Sequence, residues 1–250
     1  MKQSNKTLLT FRSMALISSL LTLGSAQAHH VWLEQDGKQA TLYFGEFGDN
    51  LREASPGRLD RFGKPRAQKV SGKGSEALDI VKTASGFVLS SMAAKGESLV
   101  AEDSAYPITD SKDGDKTFRR LYVPAARLIS DSAKQDVRLT LDLIPTGKHD
   151  CSGIEVQAVY KGMPLPNVKV EVIAASGWTQ TFSSDADGKL SVRMPWKGNY
   201  VLALKHADGA GERGGEKYDR ANYVTSLTVT QPDGITPLPV PPAATPSKMN

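Results

Sequence analysis

Cysteine is almost absent from this chain. Cys151 is the one thiol in 250 residues, which excludes an intramolecular disulfide framework. Histidine is nearly as scarce, with four residues. After residue 28 no apolar run approaches the about 20 residues that a membrane-crossing helix needs. The common local signatures of catalysis are missing as well. There is no Gly-x-Ser-x-Gly elbow and no His-Glu-x-x-His helix, and the glycine-rich stretch 209–215 lacks the Lys-Ser/Thr of a phosphate loop. No segment carries a long helical hydrophobic period. Together these absences argue against a helical, membrane-spanning or readily recognised catalytic protein, and the chain reads as a non-enzyme.

Charge is weak too. The formal net charge is +4, but three of the basic residues, Lys2, Lys6 and Arg12, lie in the first 28, and without them it falls to +1. A nucleic-acid-binding footprint is therefore not expected.

What is present begins with an export signal. The basic front of Lys2, Lys6 and Arg12 precedes a short apolar run, residues 14–23, and then Ala26-Gln27-Ala28. This is the layout of a cleaved secretory signal over residues 1–28, and it predicts a periplasmic protein that does not span the membrane when mature. In an oxidising compartment the lone Cys151 is either buried and inert, the preferred reading, or a soft metal ligand.

The remainder reads as β throughout. Residues 31–35 and 40–45 form two strands around the turn Asp36-Gly37-Lys38. Residues 49–64 read as a loop with one helical turn. Further strands are expected at 78–82, 86–91, 97–101, 118–123 and 137–144, with a short helix at 125–129. The pattern breaks near Thr146-Gly147-Lys148-His149-Asp150, where a boundary is expected. Beyond it, strands at 154–160, 168–174, 178–182, 190–194, 200–205 and 223–230, punctuated by Asp185-Ala186-Asp187-Gly188, make an immunoglobulin-like set. Six prolines crowd residues 231–250, so that tail is expected to be disordered. The predicted fold class is all-β: two β-sandwich-like domains, 29–145 and 153–230, joined by a linker at 146–152, the second immunoglobulin/prealbumin-like.

The second half carries the most specific wording. Gly162-Met163-Pro164-Leu165-Pro166-Asn167-Val168-Lys169-Val170, then Asp185-Ala186-Asp187-Gly188, then Lys197-Gly198-Asn199-Tyr200-Val201-Leu202 resemble the successive strands of prealbumin-like and carboxypeptidase-regulatory-like sandwiches. With Ala28-His29 and Trp32-Leu33-Glu34 at the exported start and Leu141-Asp142-Leu143-Ile144-Pro145 between the halves, residues 29–230 resemble a domain-of-unknown-function family of periplasmic nickel/cobalt-uptake-type proteins (NikM/NikK-like). The resemblance implies a periplasmic accessory of transition-metal uptake, with no established catalytic activity. Its cargo would be Ni²⁺ or Co²⁺. It also implies a membrane metal transporter or outer-membrane receptor as partner, and an amino-terminal histidine as ligand, at His29 or His30.

The residues themselves point the same way. A cut after Ala28 would leave His29 and His30 beside a free α-amine. The amine, the His30 amide and the His30 imidazole form fused chelate rings suited to Ni²⁺ or Cu²⁺. Alternatively the His29 amine and its own imidazole grip the ion as a brace. A cut after Ala26 would put histidine third, which is again a nitrogen-rich terminus. A terminus that merely starts a strand remains the plain alternative. His149, beside Asp150 and Cys151, and His206, near Asp208, are further candidate ligands, with exposed surface histidines the simpler reading. Glu34, Glu46 and Asp49 could lend oxygens near the terminus, although a solvated face is expected. Trp178, Trp196 and Tyr200 could form a sugar platform, with core packing preferred. Two other classes stay open: a binding module for a carbohydrate or protein partner, and a copper enzyme built on an amino-terminal brace.

Overall fold

The structure, a computed structural model, describes residues 29–150 and 153–246. The expected export signal and Cys151 lie outside these residues. Strands dominate, and among the described residues no helix is long and apolar enough to cross a membrane. In chain order they are β1 (His30–Gln35), β2 (Ala40–Glu46), β3 (Leu51–Arg52), β4 (Arg66–Ser71), β5 (Gly74–Leu78), β6 (Ile80–Lys82), β7 (Phe87–Leu89), β8 (Ser98–Glu102), β9 (Thr109–Asp113) and β10 (Lys116–Ile129). The second half adds β11 (Leu141–Asp150), β12 (Gly153–Tyr160), β13 (Met163–Pro164), β14 (Lys169–Ala174), β15 (Thr179–Ser183), β16 (Lys189–Arg193), β17 (Gly198–Asp208), β18 (Gly211–Arg213), β19 (Glu216–Tyr218) and β20 (Arg220–Gln231). The all-β sandwich expectation therefore holds.

A nine-stranded sheet in the order β15-β14-β17-β20-β10-β8-β4-β5, with β9 also on β10, forms the middle layer. It runs through both halves of the chain, because β20 lies parallel to β10 from Arg120 opposite Arg220 to Leu128 opposite Thr228. Side chains alternate across a strand, so β10 supplies both faces. Leu121 and Val123 join Leu141, Val156, Val172 and Leu202 under the sheet of β11, β12, β13 and β16. Ala126 and Leu128 join Val31, Leu33, Phe44, Phe87 and Leu99 under the sheet of β1, β2, β3, β6 and β7. A third cluster, Trp32 and Phe47 on Ile173, Val201 and Ala203, seats β1 and the end of β2 against β14 and β17. That seam fixes where the amino-terminal strand begins.

Two elements depart from the sequence reading. The helix expected at 125–129 is the end of β10. Ala, Arg and Leu favour helix locally, but this stretch pairs with β8 on one side and β20 on the other and is buried on both faces, and such packing overrides local propensity. Pro124 sits where β10 exchanges β9 for β8 as its antiparallel partner. The break near residue 146 is a register shift between Pro145 and His149 within β11. A bulge, rather than an end of strand, interrupts the alternation there.

The proline-rich tail, expected to be loose, is tied down to residue 246. Ile235 N–H donates to Pro195 O (2.9 Å), Lys197 N–H donates to Ile235 O (3.1 Å), and Ala244 N–H donates to Asn50 O (3.2 Å). The tail has no apolar core of its own. Pro237, Leu238 and Val240 line a groove together with Ala174, Trp196 and Tyr200 but stay largely exposed, so backbone bonds rather than burial hold the segment.

The expected turns form with their expected chemistry. The Asp36 carboxylate accepts from Lys38 N–H (2.9 Å) and Gln39 N–H (3.1 Å), and these bonds hold its carboxyl below the usual range. Asp185 Oδ1 accepts from Asp187 N–H (2.9 Å) and Lys189 N–H (2.8 Å), and Gly188 closes that turn at φ 74. A Cβ on Gly188 would stand 2.7 Å from Ala158 O and 2.9 Å from Leu165 N. Gly188→Ala therefore combines left-handed strain with a backbone clash. It is expected to destabilise the fold by about 1–3 kcal/mol, measured by urea unfolding, whereas Gly214→Ala, equally left-handed but open, should cost less.

Candidate metal centre

His29 is the first described residue, and its ring lies between two carboxylates. Nδ1 is 3.4 Å from Glu46 Oε1, and Nε2 is 2.5 Å from Glu53 Oε1. Glu53 is fully buried, and the His29 side chain is 15% exposed, so the ring remains reachable from solvent. Arg58 closes the far side, with Nη1 3.5 Å from His29 Nε2 and Nε 3.9 Å from Glu53 Oε1. Phe44 packs on the ring at 5.2 Å, and Tyr122 Oη donates to His29 O at 3.4 Å.

The two carboxylates come from one hairpin. β2 ends at Glu46, which stands opposite Leu51 of β3, and Gly45 stands opposite Arg52. Gly45 makes this close return possible. Its φ is 147, and a Cβ there would lie 2.2 Å from Leu51 O. The chain then continues to Glu53, whose N–H donates to Phe44 O (2.8 Å). The hairpin thus returns Glu53 beside Glu46 seven residues later.

Burial pushes the Glu46 carboxyl up to about 7, helped by the hydrogen bond that the protonated carboxyl donates to Asp49 and by the charges of Asp49 and Glu53. Two acids so close hold a proton more readily than two anions do. A cation at this place would relieve the same repulsion.

His30 takes the opposite side of β1, as strand alternation requires. Its ring is buried against Trp32 (5.4 Å), and Nε2 has no hydrogen-bond partner among the described residues. Burial first, then Lys205 and His29, push its pKa down to about 3. The structure therefore brings His29, Glu46, Asp49 and Glu53 together and turns the His30 ring away from them.

The other candidates lie elsewhere. His149 is exposed near the bulge of β11, where its Nδ1 is 3.4 Å from Gly147 O. His206, on β17, packs at 4.4 Å on Tyr160, whose hydroxyl donates to Asp208 (2.5 Å). Burial lowers the His206 pKa, against the opposing pull of Asp208. Glu34 is held by both oxygens to Arg52 (2.9 and 3.2 Å). Tyr200 is core, bonded through its hydroxyl to the Trp196 backbone, while Trp178 and Trp196 meet edge to face at 5.0 Å.

Glu53 escapes sequence reading. It sits in a segment read as loop, and only the β2–β3 register carries it to His29. Among the described residues, no three His, Cys, Asp or Glu side chains form a ready-made metal centre. A centre at His29 needs a further donor, and the α-amine freed by cleavage after Ala28 would be one.

No curated protein and no solved structure matches this chain. A family match does exist: residues 26–208, which include the His29 cluster and end with β17, match a domain of unknown function, and the chain belongs to that family, DUF4198.

Proposed function

We propose that the mature protein is a periplasmic carrier of a divalent transition metal, taken up at His29 once cleavage has made it the amino terminus. One observation carries this reading: the His29 ring is held by a buried carboxylate at Nε2 and faces a second carboxylate at Nδ1. A metal-bound histidine almost always donates its other ring N–H to such an outer partner, which fixes the tautomer and ring orientation. Glu53 fits that role. Nδ1 is then left for the ion, beside Glu46. The Nδ1 atom and the α-amine of one histidine close a chelate ring, and Glu46 adds an oxygen. Imidazole and amine nitrogens with one carboxylate suit Ni²⁺, Co²⁺ and Cu²⁺.

Of the two chelates open to a terminus beginning His29-His30, the brace on His29 uses the structure as it stands. The chelate through the His30 imidazole would require that buried ring to leave its place against Trp32. The resemblance to nickel/cobalt-uptake-type proteins supports the same reading, with a membrane metal transporter or an outer-membrane receptor as exchange partner.

The test is calorimetry with Ni²⁺, Co²⁺ and Cu²⁺ on tag-free protein whose first residue is verified as His29 by mass spectrometry. About one equivalent should bind, and a Met-extended protein should bind far more weakly, because the added residue displaces the amine from the chelate. Affinity should fall on acidification, since the nitrogen ligands must be deprotonated to bind. Equal affinity in processed, Met-extended and His29→Ala/His30→Ala proteins would remove the reading.

A further inference from the structure

We propose that the carboxy-terminal segment, residues 232–246, is a positioning strap. It holds β3, and through β3 the carboxylates of Glu46 and Glu53, at the His29 cluster. This deepens the metal-carrier reading and rests on it.

β3 is only two residues long and is paired to β2 alone within its sheet. So short a hairpin has little stability of its own. Yet it carries the geometry of the cluster, because Leu51 fixes Glu46 across the register and Glu53 follows Arg52 directly. The tail supplies what the hairpin lacks. Ala244 pairs with Leu51 in a parallel bridge. Ala244 N–H donates to Asn50 O at 3.2 Å, and Asn50 Nδ2 donates to Pro241 O at 2.9 Å. Asn50 occupies the left-handed region at φ 50, which asparagine tolerates. Its side-chain oxygen also accepts from Arg52 (2.5 Å), which grips Glu34 of β1 and lies over Tyr43 at 4.7 Å. Tail, turn, β3 and β1 are thus tied at one residue.

The other end of the strap is anchored far along the chain, at the Ile235 bridge to Trp196. Between the anchors the proline content suits a tie. Proline brings no N–H that needs a partner, and it stiffens the chain, so ordering it costs little entropy. Ile235, Leu238 and Val240 stay 49–64% exposed, so the segment covers the sandwich without being part of its core. β20 is complete at Gln231, and removal of the strap should leave the sandwich folded.

The experiment compares processed full-length protein with a chain ending at residue 231 and with Asn50→Gly, which keeps the backbone angle and removes the amide. Cu²⁺ is the probe, by calorimetry. Truncation should weaken Cu²⁺ binding about 10–100-fold, the range seen when outer-shell support is lost, with the far-UV spectrum unchanged. Asn50→Gly should weaken it about 5–100-fold, the worth of the two hydrogen bonds its side chain makes, to Pro241 O and from Arg52. A synthetic peptide of residues 232–250 added to the truncated protein should restore affinity, which a general loss of stability would not permit. Full-length and truncated proteins that bind Cu²⁺ equally would overturn the strap while leaving the metal reading intact. A full-length protein that binds no Cu²⁺ would overturn the metal reading and this coupling with it. Amide hydrogen exchange at Leu51–Glu53 then decides whether any strap remains: faster exchange on truncation supports it, and unchanged exchange rejects it.

Discussion

Asp142→Ala is expected to cost about 3–5 kcal/mol of folding stability, the penalty of leaving a buried charge without its partner. Asp142 on β11 and Arg127 on β10 are both fully buried. They meet through two bonds, Arg127 Nε to Asp142 Oδ1 at 3.0 Å and Nη2 to Oδ2 at 2.6 Å. The guanidinium also donates to Ser98 Oγ (3.3 Å) and Asp136 O (3.0 Å), while Asp142 Oδ2 accepts from Arg138 N–H (2.9 Å) and Leu139 N–H (3.2 Å). The pair ties the central sheet to the sheet above it and shapes the 130–140 connection. Asp142→Asn should cost less, since the backbone donors keep an acceptor. The double replacement Arg127→Met with Asp142→Leu should recover much of the loss, because two buried charges gain little over well-packed apolar groups. Urea unfolding of the four proteins reads this. A loss below about 1 kcal/mol for Asp142→Ala, the worth of an exposed pair, would contradict the assignment.

The second large effect is on metal affinity. His29→Ala is expected to abolish tight binding, and Glu53→Gln to weaken it by about 10–100-fold, as loss of an outer-shell carboxylate does. His30→Ala should act differently. It removes a buried ring beside Trp32 and so lowers stability, but it leaves the stoichiometry and most of the affinity. His149→Ala and His206→Ala should bind as the unaltered protein does. Calorimetry paired with unfolding curves separates the two kinds of loss. A severe affinity loss in His30→Ala with a mild one in His29→Ala would favour the amine–amide–imidazole chelate over the brace.

Much of the fold is legible in the sequence because its signals are local. Alternation in Ile154–Val159 and Val170–Val172 and the side-chain-to-backbone bonds of Asp36 and Asp185 need no distant partner to act. The misread elements depend on partners far away in sequence. Residues 125–129 are helix-compatible until β8 and β20 flank them. The tail looks too apolar-poor to order until the backbone partners at Pro195, Lys197 and Asn50 are present. The candidate site divides in the same way. His29 is legible through the export-signal pattern of the sequence before it, and Glu46 through its nearness to His29. Glu53 depends on the register of a two-residue strand, and Asp142, one residue of a Leu-Asp-Leu-Ile-Pro phrase, reveals its role only when Arg127 arrives from another strand. The alternation of β1 was available to set His29 and His30 on opposite sides, but a frayed terminus would not obey it.

The central claim is that His29 supplies the imidazole ligand of the bound ion. Pulsed electron paramagnetic resonance of Cu²⁺-loaded, processed protein reads this most directly, because the remote nitrogen of a coordinated imidazole modulates the echo. The account predicts the modulation of one equatorial imidazole in the unaltered protein, kept in His30→Ala and lost in His29→Ala. Modulation that survives His29→Ala and disappears in His30→Ala would contradict it.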